Sequence, residues 1–257
     1  FIDLAGGAND IAAASGIKTI TVSGSGSLDL DATSELANTT LTADVTKFDA
    51  SANTGGVTAT FANTKVAVTG GSGADKVTVA GSLVEGASIS LGAGNDSLLS
   101  NGGAIGSKVT VDGGAGIDAI TTAVINAGNG SQFANFERLD LANNTLDAAL
   151  LTGSTITDLV LSGAGGGTIN NVKAGVDLLV TASSGGETIN VVDATKAANT
   201  SDVFDITFAA DAVTGVAPTA ANVTAGTIAL AGVETVNIAS GGGANTWNSL
   251  TLTDDAA

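Results

Sequence analysis

The chain has 257 residues, 36 of them glycine, with 25 acidic against 8 basic side chains and a formal charge of −17. His, Cys, Met and Tyr are absent, which excludes Ser-His-Asp and Cys-His catalysis, imidazole and thiolate metal sites, iron–sulfur clusters and disulfides. The sparse cations, with Arg138 the one arginine, make nucleic acid an unexpected partner, and the remaining carboxylates, amides, hydroxyls and carbonyls form a hard-oxygen set suited to calcium or magnesium.

Asp far outnumbers Glu, and short carboxylates favour turns and caps over helix interiors. With Val, Thr, Ile and Leu abundant, the expected fold class is all-β: a parallel β-roll or β-solenoid flanked by more irregular β-repeats. Residues 1–63 form an N-terminal β-repeat region, with strands expected at "IKTITVS" (17–23) and "VTATFA" (57–62). Residues 64–126 carry a regular repeat. Residues 127–257 carry degenerate repeats, with strands expected at "FERLDLA", "DLVLS", "DLLVTA", "DITFA", "VETVNIA" and "SLTLT". Only "TLDAALL" (Thr145 to Leu151) suggests a helix, and a short one. No apolar run reaches the length of a membrane span. The chain starts at Phe1 and contains no Met, so it is expected to be a piece of a longer or processed chain.

The regular repeat aligns "VAVTGGSGADKVTV", "ISLGAGNDSLL" and "VTVDGGAGIDAIT". Asp75, Asp96 and Asp118 fall in register, with Val68, Ile89 and Val111 seven residues before them and Val77, Leu98 and Ile120 two after. Turn glycines recur as Gly71 and Gly73, Gly92 and Gly94, Gly114 and Gly116. A short strand cannot bury its own apolar face, so such units are expected to stack as coils. The looser second turn of each coil would be Gly81 to Ala87 and Ser100 to Gly106.

Gly70 to Thr78 and Gly113 to Thr121 match the nonapeptide G-G-x-G-x-D-x-U-x, where U is a large apolar residue, and Leu91 to Leu99 departs only at its first position. These motifs resemble the repeats-in-toxin (RTX) family of secreted bacterial proteins. The resemblance is specific over residues 64–125. It implies calcium-binding turns, with carboxylates from Asp75, Asp96 and Asp118 and carbonyls near Gly71, Gly73, Gly92, Gly94, Gly114 and Gly116. One turn cannot fill a shell of six to eight oxygens, so an ion would staple adjacent coils. The motif occupies one edge only, where the family alternates edges, so a single short column of ions is expected.

The wider Ala/Thr/Val/Gly-rich style is similar to bacterial surface-layer proteins and large adhesins. That resemblance implies type I secretion and a place on the extracellular cell surface. The expected function is a non-enzymatic structural component of a calcium-dependent layer or filament, self-assembling as a homo-oligomer or lattice, with cell-surface polysaccharide a candidate partner. The alternatives are a ligand-binding adhesin segment and the accessory β-roll of a secreted hydrolase. Glu187 and Asn245 replace the Asp in degenerate turns and are expected to be solvated, as are the acidic pairs Asp29/Asp31, Asp202/Asp205 and Asp254/Asp255. Ser15 and Lys18 have Ser-Lys spacing without the companion motifs of such enzymes. "GAGGG" (Gly163 to Gly167) lacks the following Lys-Ser or Lys-Thr of a phosphate loop.

Overall fold

The computed structural model describes residues 16–30, 40–41, 44–163, 165–192, 202–208, 222–241 and 243–253. Ser15, Asp31, Asp254 and Asp255 lie outside them. The fold is all-β and its paired strands run parallel, as in a β-roll or solenoid. Two compact units are distinguished. The first comprises Phe1–Ile120, Val124–Phe136 and Thr152–Ser154; the second comprises Thr121–Ala123, Glu137–Leu151 and Thr155–Ala257.

In the first unit one sheet runs through Thr19–Gly24, Lys47–Asn53, Ala67–Thr69, Ser88–Ser90, Thr110–Asp112 and Phe133–Ala134. The other runs through Leu28–Asp29, Val57–Phe61, Lys76–Val79, Ser97–Ser100 and Ala119–Thr121, and Thr40–Leu41 also pairs with Val57–Phe61. Each coil thus places one strand in each sheet, and in the three repeats the Gly/Asp turn joins the two. Val68, Ile89 and Val111 pair in register, as do Val77 and Leu98, and Leu98 and Ile120. All six are buried. The alternation of apolar and polar residues sends one set inward on every strand, and stacking removes that set from water. Phe48 and Phe61 fill the earlier coil, with ring centroids 5.2 Å apart at 71°.

In the second unit the two strand series are Arg138–Asp140, Asp158–Leu161, Asp177–Val180, Val203–Phe208 and Thr235–Ser240, and Thr145–Asp147, Thr168–Lys173, Glu187–Val192, Thr224–Ala231 and Thr246–Thr253. The strands expected from the sequence at 17–23, 57–62, 136–142, 158–162, 177–182, 205–208, 233–239 and 249–253 all carry strand structure, and Ala209, the last residue of the expected "DITFA" strand, lies outside the described residues. The expected helix over Thr145 to Leu151 does not form as such. Thr145–Asp147 is a strand, followed by a single 3-10 turn, Ala148–Leu150. Asp147 ends the strand because its carboxylate accepts the Ala149 amide at 3.0 Å and caps the turn. Leu146 is buried by pairing with Ile169, so tertiary pairing overrides local helix preference. No helix among the described residues is long and apolar enough to cross a membrane.

Candidate functional site

The three Gly/Asp turns stack directly on one another in the first unit. Asp75, Asp96 and Asp118 are only 3%, 1% and 0% exposed, so their carboxylates face the interior. The Asp96 Oδ1 accepts the Asp75 amide at 2.7 Å, and the Asp118 Oδ1 accepts the Asp96 amide at 2.8 Å. Asp75 continues the series: its Oδ1 accepts the Val57 amide at 2.6 Å, and its Oδ2 accepts the Gly71 amide at 2.7 Å. Each carboxylate therefore takes the place of a ladder carbonyl and ties its own rung to the preceding one. Hydrogen bonds to an ionised acceptor are stronger than neutral ones, which is a local reason for Asp at this position.

The glycines serve close approach. A Cβ on Gly116 would lie 1.6 Å from the Gly94 carbonyl oxygen, and one on Gly94 would lie 2.5 Å from that of Gly73. Gly116 and Gly94 also have φ of 148° and 129°, a region that favours glycine. The turns are themselves cross-linked. The Ala93 amide donates to the Gly71 carbonyl, the Ala115 amide to the Gly92 carbonyl, and the Gly94 amide to the Ala115 carbonyl, each at 2.9 Å. Leu91, which replaces the first glycine of the middle motif, is fully buried, and its amide donates to the Asp112 carbonyl at 2.9 Å.

All nine residues singled out for metal binding thus lie in one stack, with carboxylates and glycine backbones in register. Asp75 has both oxygens engaged by amides. The Asp96 Oδ2 is buried and has no hydrogen-bond partner. Burial pushes the Asp96 carboxyl up to about 7, with the charges of Asp118 and Asp75 adding to the effect. Asp75 is raised too, by burial, against the lowering effect of its two amide bonds. No group of three or more acidic side chains among the described residues forms a metal cluster. Any cation here would have to combine carboxylate and backbone oxygens from neighbouring turns. The buried, unsatisfied Asp96 Oδ2 is one hard oxygen that suits that role.

Sequence reasoning missed the amides that extend this system. Asn53 is 1% exposed; its Oδ1 accepts the Gly55 and Gly56 amides at 3.1 and 2.8 Å, and its Nδ2 donates to the Gly26 carbonyl at 3.0 Å. Its "NTGG" context holds the signal, an Asx turn before paired glycines. The Asn95 Oδ1 accepts the Ile117 amide at 3.0 Å from the next turn.

Two residues expected to be solvated are buried. Glu187 is 2% exposed because its turn packs against the preceding one, and Asp202 is 8% exposed. Asn245 is half-buried and structural: its Oδ1 accepts the Val223 amide at 2.9 Å, and its Nδ2 donates to Ser240 Oγ and the Gly241 carbonyl. Asp29 is exposed, as expected. Lys18, the lysine of the Ser-Lys spacing, pairs with Asp44 at 2.8 Å. No protein-family model matches the chain, and neither a curated protein nor a solved structure matches it.

Proposed function

We propose that the chain is a structural segment of an extracellular, calcium-dependent surface layer or filament, of RTX type, that self-assembles through its β-rungs. It performs no chemistry on a substrate. The observation that carries this reading is the last described rung of the second unit. Ile238 and Leu252 are 50% and 54% exposed, yet they pair with Ile206 and Leu230, which are 0% and 1% exposed. Trp247 pairs with Ala225 and meets Phe208 edge-on at 5.3 Å. The rung thus has the side chains of an interior coil. Its apolar row suits burial against a further parallel rung, which in an assembly a second copy can supply.

The stacked aspartate turns of the first unit support the same reading. When bound, calcium would supply charge neutralisation and oxygen coordination among the stacked turns. Asp75, Asp96 and Asp118 would hold it with carbonyls of the turn glycines. Calcium is scarce inside cells and plentiful outside, so a chain that needs the ion to stack firmly is suited to ordering after export.

The test is electron microscopy and sedimentation velocity of the purified chain in millimolar calcium and in chelator. Ordered assemblies should form with calcium, dissolve on chelation, and fail to form in an Ile238→Lys/Leu252→Lys variant. Assemblies indifferent to both calcium and the double substitution would overturn the proposal.

A further inference from the structure

The sequence holds two Asn-Gly pairs, Asn101–Gly102 and Asn129–Gly130, and the first unit treats them in opposite ways. An Asn-Gly pair can react with itself. The backbone nitrogen of the glycine attacks the side-chain carbonyl carbon of the asparagine. The new C–N bond closes a succinimide ring, and the side-chain nitrogen leaves as ammonia. Water then opens either carbonyl of the ring, giving aspartate or isoaspartate. Glycine favours the step because no Cβ crowds its nitrogen and its backbone turns freely.

Asn129–Gly130 is locked. Asn129 is 1% exposed. Its Oδ1 accepts the Asn126 amide at 2.7 Å, and its Nδ2 donates to the Ile105 and Val124 carbonyls at 2.6 and 2.8 Å. The attacking nitrogen is engaged too: the Gly130 amide donates to the Asn126 carbonyl at 3.1 Å and opens the 3-10 turn Gly130–Gln132. Ring closure there requires breaking those bonds first.

Asn101–Gly102 has none of these restraints. It lies in the looser second turn, after the strand Ser97–Ser100, and both residues are exposed. Neither the Asn101 side chain nor the Gly102 amide makes a hydrogen bond among the described residues. A Cβ on Gly102 would have nothing within 4 Å, and its φ is 80°. The preceding coil shows the missing restraint. The Ala80 amide donates to the Phe61 carbonyl at 2.9 Å as the Asn101 amide donates to that of Val79, and the Gly81 amide is held on the Phe61 carbonyl as well, at 3.1 Å.

We propose that Asn101–Gly102 is a self-modification site: with water as the co-reactant, the folded chain converts Asn101 through a succinimide to aspartate and isoaspartate, while Asn129 is spared. Either product adds one negative charge to the formal −17. Isoaspartate also brings the side-chain methylene into the main chain. That added length falls between two fixed points, the Asn101 amide on the Val79 carbonyl and Gly103, where a Cβ would lie 2.6 Å from the same carbonyl oxygen. The proposal is independent of calcium and of the surface-layer reading.

The test is peptide mapping by mass spectrometry of the folded full chain after days at neutral and mildly alkaline pH. Lys108 lies between the two pairs, so trypsin places them on separate peptides. The Asn101 peptide should gain the mass difference between a hydroxyl and an amino group, and electron-transfer fragmentation should identify isoaspartate at 101. Conversion should quicken with pH, because the nitrogen attacks in its deprotonated form. The need to break three buried side-chain hydrogen bonds should slow Asn129 about a hundredfold relative to Asn101. In denaturant the two pairs should react at similar rates. Asn101→Gln, whose ring would need one more carbon, should leave that peptide unmodified. A folded-state rate at Asn101 no greater than at Asn129 would overturn the proposal. So would an Asn101 that reacts in denaturant and stays intact in the folded chain, which would show that the turn holds this pair as well.

Discussion

The two turn stacks solve one problem in two ways. In the first unit the turns touch: a carboxylate of each turn accepts an amide of the rung before it, and the glycine Cα atoms sit against carbonyls of the neighbouring turn. In the second unit the turn carboxylate reaches back with a longer side chain, and a Cβ on Gly165 would meet the Gly185 carbonyl oxygen at a crowded 3.1 Å, while Cβ atoms on Gly167 and Gly226 would lie 2.0 and 2.3 Å from the backbone of Asn144 and Gly186. Asp, one methylene shorter than Glu, suits a stack closed by direct hydrogen bonds. Glu187, one methylene longer, reaches the Gly167 amide of the preceding turn at 3.2 Å. The comparison teaches that the acidic residue in a Gly-rich turn is first a partner for backbone amides, and that any bound cation would draw on the oxygens left over.

The strongest break of this comparison is a methyl group in each stack. Gly116→Ala should cost about 4 kcal/mol or more, since its Cβ would overlap the Gly94 carbonyl and its φ is 148°. Gly165→Ala, with φ of 120° and a Cβ crowded at 3.1–3.3 Å by the Gly185 and Gly186 backbone and not buried in it, should cost less, about 1–3 kcal/mol. Denaturant titration of the two variants checks the difference, and equal losses would remove the distinction between tight and loose turns.

A smaller effect separates two aspartates within the tight stack. Asp75→Asn places an amide NH2 against one of two N–H donors and should destabilise by about 1–3 kcal/mol. Asp96→Asn keeps an acceptor for the Asp75 amide and removes a buried charge, so without calcium it should raise the melting temperature by a few degrees. Thermal melts in chelator decide the signs; two losses of the same size would mean that the Asp96 Oδ2 is not an unsatisfied atom.

The mildest test is pH. The Asp96 carboxyl, normally near 3.8, is raised to about 7 in the folded chain. The folded state therefore holds a proton that the unfolded state releases, and calcium-free stability should fall as pH rises from about 4 to about 7, then level off. Calcium needs the carboxylate, so in saturating calcium this trend should flatten or reverse across the same window. Melting curves at pH 5 and 7.5, with and without the ion, would show it.

Much of this was legible in the sequence for a physical reason. Val68, Ile89 and Val111 sit at a fixed distance from their aspartates because parallel rungs stack without slip, so one alignment reads both register and core. Other features needed three dimensions. Glu187 looks like a solvated turn residue until the Gly167 amide is placed beside it. The Asn53 amide acts across 27 residues on the Gly26 carbonyl, beyond any local pattern. "TLDAALL" has helical composition, but Leu146 gains more by pairing with Ile169 than a lone helical turn would provide.

The most direct measurement is a thermal melt of the whole chain in calcium and in chelator, with bound ions counted by equilibrium dialysis. Ions seated in the aspartate turns should raise the melting temperature by roughly 5–10 °C at a hundredfold excess over Kd, and Asp96→Asn should abolish most of that gain. Superimposable melts in calcium and chelator, with no ion retained on dialysis, would contradict the account.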